Sequence, residues 1–467
     1  MGCKTTLGDV CSFYRGASIP RARMHDTGDY LYIHYGDLYK GFNLRIDVNN
    51  PAKPIPYILA SEKIKESQRL KDQDIIYVLT SETVDDLGHA YLFNNPNNKP
   101  AVSGTETTIV RIERRDLIIP AYLNYLMSSP RFIGELRQYT RGMKVFRVHP
   151  SDVSRIEVHL PSIEAQQQVV TVLDAIYSKQ QANAKLNGYL AELQQAIYAD
   201  STKEGAQTTI GEIAEVIDCL HSKKPQRQPS GKPLIQLNNI IDDGILNMTD
   251  TFYISEDDYA KWISRCEVKP GDCVITNVGR IGAVSQVPQG TTAAMGRNMT
   301  CIRPGAYAAT VITALCSNAM RYEIEKRTDA GTIMNALNVR NIPKLELYLP
   351  PAEVRDSVET TLKTIQDARE LLLKERQEFA ALRDVLLPKL MSGEIDVSKI
   401  DLMQLNSHLA ERIQVINQGA IESNLSPNLA NRPFAGEPFV CCSKSVFGSI
   451  ELRSIPFFSQ FFNSLVT

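Results

Sequence analysis

The strongest constraint on this chain is that it repeats itself at long range, in order, along most of its length. Thr6-Leu7-Gly8-Asp9-Val10 returns as Thr209-Ile210-Gly211-Glu212-Ile213. Ile33-x-x-Gly36-Asp37-Leu38 parallels Ile235-x-x-Asn238-Asn239-Ile240, each an apolar strand running into a polar turn followed by Gly41 or Gly244. Asp74 in RLKDQDIIY and Asp272 in EVKPGDCVIT both precede a short apolar run, which is turn chemistry leading into a buried strand. Gly88 and Gly282 hold matching places. Gly142, Ile156-Glu157-Val158 and Leu160-Pro161-x-x-Glu164 align without a gap to Gly331, Leu345-Glu346-Leu347 and Leu349-Pro350-x-x-Glu353. A repeat this long is a duplicated domain, not a small solenoid unit.

With 467 residues the chain is too long for one core. The repeat dictates an α+β fold: two tandem strand-rich domains separated by two long helices that form an antiparallel coiled coil. Residues 1–160 make the first domain, 161–205 the first helix and linker, 206–349 the second domain and 350–400 the second helix; 401–467 is an extension of unknown role. The helical stretches proper are 162–200 and 351–391. Val169, Leu173, Ile176, Leu186, Leu190, Leu193 and Ile197 follow an approximate 3,4 spacing, interrupted by Gln180 and Asn183. Val358, Leu362, Ile365, Leu372, Phe379, Leu382 and Leu386 do likewise. Pro161, Pro350 and Pro351 suit a first helical turn, and Pro388 with Gly393 marks the end of the second helix. A rod of roughly 50 to 60 Å cannot bury its stripe alone. Pairing the two helices antiparallel solves this and puts the domains at opposite ends; the alternative is that each helix packs onto its own domain.

Enzymatic signatures are missing. No glycine-rich loop after a first strand and no Asn/Asp-Pro-Pro-aromatic motif suggests methyl transfer; the adjacent prolines Pro350 and Pro351 follow Leu349. Gly36 and Gly41 have phosphate-loop spacing, but Phe42 and Asn43 stand where lysine and a hydroxyl belong. Glu267-Val268-Lys269 with Asp272 is a weak match to a magnesium-dependent nuclease, and its repeat carries Arg69 in place of Glu267. Seven histidines spread along the chain single out no triad. Nine cysteines lack paired spacing, so neither zinc nor any other metal is expected, and Cys441 and Cys442 read as ordinary thiols. No apolar run reaches the roughly 18 residues of a membrane span, and no secretory signal opens the chain, so a cytoplasmic protein is expected.

What each domain offers instead is polar and basic loops. The first supplies Arg15, Arg21, Arg23, His34, Tyr35, Ser81, Thr83, Arg141, Lys144 and Arg147. The second supplies Lys223, Lys224, Arg227, Asn238, Asn239, Asn277, Arg280, Arg297, Asn298, Asn335, Asn338 and Arg340. Arginine and lysine suit phosphates and guanine edges, and Asn pairs bidentately with adenine. Any one of these is an ordinary solvated side chain; their recurrence at corresponding loops of both repeats points to nucleic acid. The formal charge of −2 argues mildly the other way, because a DNA binder usually shows a basic footprint. It leaves room for a partner that brings positive surface.

The stretches LELYLPPAEVRDSVETTLKTIQDARELL and LRDVLLPKLMSGEIDV, with IEVHLPSIEAQQQVVTVLDAI in the first copy, resemble the specificity subunits of type I restriction-modification enzymes over about residues 5 to 400. The resemblance implies a non-catalytic reader of double-stranded DNA. Each variable domain would recognise one half of a split, asymmetric target, and the helices would act as a ruler. It also implies that the helices, through residues such as Leu173, Ile176, Leu190, Leu193, Ile197, Leu362, Ile365, Leu372, Phe379 and Leu386, pair and present surfaces to two modification subunits. S-adenosylmethionine, ATP and magnesium would belong to those and to motor-nuclease subunits, with no cofactor on this chain. Members of that family usually finish soon after SGEIDV, whereas this chain continues to Thr467. An autonomous DNA-modifying enzyme and a non-DNA coiled-coil scaffold are the competing readings.

Overall fold

Each repeat is built on a five-stranded sheet with one strand order. The computed structural model describes residues 2–395, except 40, 85, 242, 243 and 330–334; the expected extension, Cys441, Cys442 and the Gly331 counterpart of Gly142 lie outside the described residues. The chain divides into two units. One takes in Met1–Ser178 and the described residues from Ala380, the other Lys179–Phe379.

In the first unit the sheet runs Cys11–Arg15, Thr107–Ile112, Ile75–Val78, His89–Asn94, Arg45–Asp47. In the second it runs Ala214–Asp218, Met299–Pro304, Cys273–Thr276, Val284–Gln286, Gly244–Ile245. Each sheet has a parallel pair at the same edge. The central strands Ile75–Val78 and Cys273–Thr276 are buried at every position, as strands covered on both faces must be. Beside each lies a second sheet holding a parallel pair, Tyr30–Ile33 with Ala101–Ser103 and Lys232–Ile235 with Ala293–Met295. Gly104 and Gly296 end these pairs at equivalent positions. A Cβ on either would lie 2.6 Å from the carbonyl of Ile33 or Ile235, so only glycine lets the two chains approach this closely.

Polar residues fix the same turns twice. The carboxylates of Asp9 and Glu212 accept from the amides of Thr6 and Thr209 at 3.0 and 2.8 Å, closing a capping box at each first turn. Asp74 and Asp272 accept from the amides of Lys71 and Lys269, and each is paired in the sheet with an arginine, Arg111 at 2.6 Å and Arg303 at 2.7 Å. This also disposes of the nuclease-like cluster: Arg303 occupies Asp272, and Glu267 accepts from the Tyr259 hydroxyl.

The long helices span Ile163–Ser201 and Ala352–Ser392. Pro161, Pro350 and Pro351 precede them and do not enter the first turn. Pro388 lies inside the second helix, which continues to Ser392 before Gly393 (φ +73°). Within the second unit the helices run antiparallel: Gln194 bonds the Leu362 carbonyl and Gln366, Arg369 bonds Asn187, Asn183 bonds Glu375 and Gln180 bonds the Arg376 carbonyl. Gln180 and Asn183, read as interruptions, are buried members of the seam. Leu190, Ile365 and Leu372 pack together, flanked by Leu186, Leu193 and Ile197. Beyond Phe379 the pattern slips, so that Leu387 and Leu390 are buried and Leu382 is exposed.

Helix pairing and packing onto a domain are not alternatives in this chain; both occur. Asp174 on the first helix bonds Arg45 and, at 2.7 Å, the Tyr125 hydroxyl of its own unit. Glu359 on the second helix caps the helix Ala308–Leu315 by accepting from the amides of Ala309 and Thr310, both at 2.9 Å. No helix among the described residues is long and apolar enough to cross a membrane.

Candidate nucleic-acid interface

In the first unit the buried Tyr32 hydroxyl organises the loops. It donates to the Ala17 carbonyl at 2.7 Å and accepts from the amides of Ile19 and Thr105, tying the segment that carries Arg15, Arg21 and Arg23 to the turn after Ala101–Ser103. His34 caps the short helix Tyr35–Leu38 by accepting from the Gly36 amide at 3.0 Å, and its ring lies 4.7 Å from that of Tyr35. Burial pulls its pKa down, against the opposing field of Asp37. Asp37 holds Arg21 at 3.6 Å and Lys53 at 3.3 Å; Arg23 reaches Glu62 at 3.2 Å. A hairpin completes the surface: Phe146–Arg147 pairs with Thr80–Ser81, Arg147 meets Glu106 at 3.5 Å and Arg141 meets Asp152 at 3.1 Å. Lys144 is exposed in the hairpin, and Thr83 is exposed with its hydroxyl bonded to Asp86. The structure therefore joins Arg21, the His34 turn, Ser81 and the Arg141–Arg147 hairpin through a chain of contacts; Arg15 is exposed at the end of its strand.

The second unit presents a cleft of about 400 Å³ lined by Lys224, Leu234, Gln236, Leu237, Asn238, Trp262, Arg297 and Asn298. Trp262 supplies an apolar wall, while two cations and three amide side chains supply polar groups. Lys224 lies over the Phe252 ring at 4.5 Å, and Arg227 pairs with Asp250 at 2.6 Å. Asn298 holds φ +66°, and the corresponding turn of the first unit has Glu106 at φ +58°. Lys223, Asn335, Asn338 and Arg340 are exposed, with Asn338 capping the turn that contains Arg340.

Three expected base readers are used internally. The buried Asn277 donates to the Leu337 carbonyl and accepts from the Thr300 hydroxyl, so both ends of its amide are engaged. Asn239 donates to the carbonyls of Asn247 and Asp250 and accepts from the Gln236 amide. His34 is buried in its capping role. These side chains position loops instead of facing a ligand, because a buried amide or imidazole without partners would be costly. Arg280 is similar: its guanidinium donates to the carbonyls of Leu237 and Ile240. Sequence reasoning missed Gln236 and Trp262. Gln236 was reachable through the repeat, as the counterpart of His34; Trp262 carried no mark beyond being the sole tryptophan.

Asp218, Cys219 and His221 bring one donor atom each within 4.8 Å of one another. Arg265 already neutralises the Asp218 carboxylate from 3.2 Å, and His221 bonds the same oxygen, so the group is an ion-paired cluster beside the basic loop.

The comparisons match this geometry. Residues 4–190 fit the family model described as type I restriction modification DNA specificity domain. That stretch, the first domain and most of the first long helix, is thus similar to a type I restriction-modification DNA specificity domain. The second half of the chain repeats the order of the five-stranded sheet of the matched half. The S subunit of a type I restriction-modification system from M. genitalium has a similar fold, with a TM-score of 0.52, 13% identity, and coverage of 84% of this chain and 96% of that one. The HsdS subunit from Thermoanaerobacter tengcongensis aligns at a TM-score of 0.30 with 16% identity over 84% and 97% of the two chains. No curated protein matches. The two loop clusters described above are the surfaces that differ most in side-chain chemistry between the repeats.

Proposed function

We propose that each unit reads one half of a bipartite, asymmetric DNA target and that the paired helices set the unread gap between the halves. One observation carries this reading: a shared strand framework holds unlike residues at matched loop positions. His34-Tyr35-Gly36-Asp37 stands against Gln236-Leu237-Asn238-Asn239, and Thr105-Glu106 stands against Arg297-Asn298. Two copies of one scaffold with different loop chemistry suit two different half-sites, not a palindrome. In this reading Lys224, Arg227 and Arg297 meet phosphates or guanine edges and the amides of Gln236 and Asn238 meet adenine. Asn239, Asn277, His34 and Arg280 keep those loops in place.

The near-zero net charge fits the same reading. Arg21, Arg23, Arg141, Arg147 and Arg227 each rest against a carboxylate. The Arg147 and Arg227 pairs are exposed on both sides and worth about 1 kcal/mol or less, so phosphates displace them readily, whereas Arg141 is held by the buried Asp152. The chain acts as the non-catalytic reader of a cytoplasmic complex. Two modification subunits dock on the helices and bring S-adenosylmethionine; motor-nuclease subunits bring ATP and magnesium chemistry.

A genome-wide map of methylated adenines in cells with and without this protein tests the proposal. The expected result is one split motif with two unlike halves that vanishes when the chain is removed. An unchanged map, or methyl transfer by the purified chain alone, would overturn it; a scaffold would enrich no sequence from random DNA fragments.

A further inference from the structure

Among the described residues, Met143 is the most exposed large apolar side chain, at 94% of its full accessible surface. It sits at the tip of the hairpin Arg141–Arg147, with Val145 also exposed beside it. Nothing about such a side chain stabilises the unit that carries it, and solvating it gains nothing. Yet the hairpin is built firmly. Arg141 and Arg147 exchange both backbone hydrogen bonds, at 2.9 and 2.8 Å. Gly142 turns the chain at φ +114°, where a Cβ would lie 2.1 Å from the Val145 carbonyl, so the turn is specific to glycine. Its base is sewn to Thr80–Ser81 by strand pairing and to Asp152 by Arg141.

The charge around the tip names the occupant. Lys144 follows Met143 at the exposed tip, and Arg141 and Arg147 stand at the base of the same hairpin, so the segment that carries Met143 is basic, which suits a phosphate backbone and repels a basic protein surface. An unbranched apolar side chain at the tip of a rigid, basic stem is what unstacking a base step requires. We propose that Met143 is a wedge that inserts between neighbouring base pairs of the half-site read by the first unit, with Lys144 meeting a flanking phosphate and the two arginines keeping the stem in place. This rests on the DNA-reading function proposed above. Its consequence is specificity without hydrogen bonds: the step that Met143 enters is selected by how cheaply it unstacks, which favours pyrimidine–purine steps.

The full-length chain, with its modification subunits, is bound to a duplex carrying its mapped target, with 2-aminopurine placed at successive steps of the half-site assigned to the first unit. Binding raises the fluorescence at one step. Met143→Ser abolishes that rise and weakens binding on the order of tenfold, whereas Met143→Leu keeps both, and neither changes the bases required in the half-site of the second unit. No fluorescence rise with the unsubstituted chain despite sequence-selective binding, or a full rise with Met143→Ser, overturns the wedge and leaves the DNA-reading function standing. Loss of modification-subunit binding by Met143→Ser with unchanged DNA binding overturns it too, by making the tip a protein contact. If the unsubstituted chain shows no sequence selectivity at all, the reading on which the wedge rests is what fails.

Discussion

Side chains that the sequence presents alike divide, in the structure, into those that face solvent and those that hold the scaffold. The twin pairs Asp74–Arg111 and Asp272–Arg303 show the second kind most clearly. Each aspartate is nearly inaccessible, accepts a turn amide and meets a guanidinium bidentately, so one carboxylate ties a turn to a neighbouring strand. Removing the aspartate leaves a turn amide and a partly exposed guanidinium without their shared partner, at a cost of about 1 to 3 kcal/mol. Asp74→Ala is therefore expected to speed amide hydrogen exchange in Ile75–Val78 and Thr107–Ile112 while leaving Cys273–Thr276 protected, and Asp272→Ala to do the reverse. Equal protection in both variants and the unsubstituted chain would show the pairs to be ornamental. The aspartates were legible from sequence as turn residues; their arginines were not, because a partner across a sheet leaves no local spacing. The same limit explains Asn239 and Asn277. An asparagine in a loop has one appearance in sequence whether its amide meets carbonyls of its own fold or the edge of a base.

At the scale of elements, the long helices were readable to within a residue at each end, since a 3,4 periodicity sustained over nearly forty residues leaves a strong imprint. What the pattern concealed was the polar middle. Gln180, Asn183, Asn187 and Gln194 fall on seam positions of the first helix and meet Gln366, Arg369, Glu375 and the Arg376 carbonyl of the second. Reading only apolar residues makes these look like gaps. Buried polar layers cost stability and specify alignment, because any sliding of one helix leaves several of them unpaired. Asn183→Leu alone is expected to destabilise the pair by leaving the Glu375 carboxylate buried without its amide. Asn183→Leu with Glu375→Leu is expected to restore or exceed the original denaturation midpoint while loosening the alignment. Cysteines placed at matched and at one-turn-shifted seam positions measure this: the double variant forms both disulfides, the unsubstituted seam only the matched one. A double variant that forms the matched disulfide alone would assign alignment to the apolar residues.

For the whole molecule, duplication is what makes function legible in the amino-acid sequence, since two copies of one scaffold with unlike loops imply two related but different tasks. The scaffold also sets what can vary. Paired ions, capping boxes and close-approach glycines recur in both units, while the residues facing solvent at the His34 and Gln236 turns do not. Apart from the capping His34 and Asn239, the side chains of these turns can differ without disturbing the fold. The gap between half-sites has a different origin in the function proposed here: it belongs to the helices. Asn183–Tyr189 and Arg369–Glu375 face each other across the seam, and each contains one heptad. Deleting both segments together keeps the remaining seam in register and removes about 10 Å of helix, equivalent to about three base pairs of duplex. The methylated motif of that variant is expected to keep both halves letter for letter and to lose about three positions from the gap. If the gap stays the same length, the helices are not the ruler; if the halves change, the deleted heptads were supporting the reading loops, and distance and recognition are not separable in this chain.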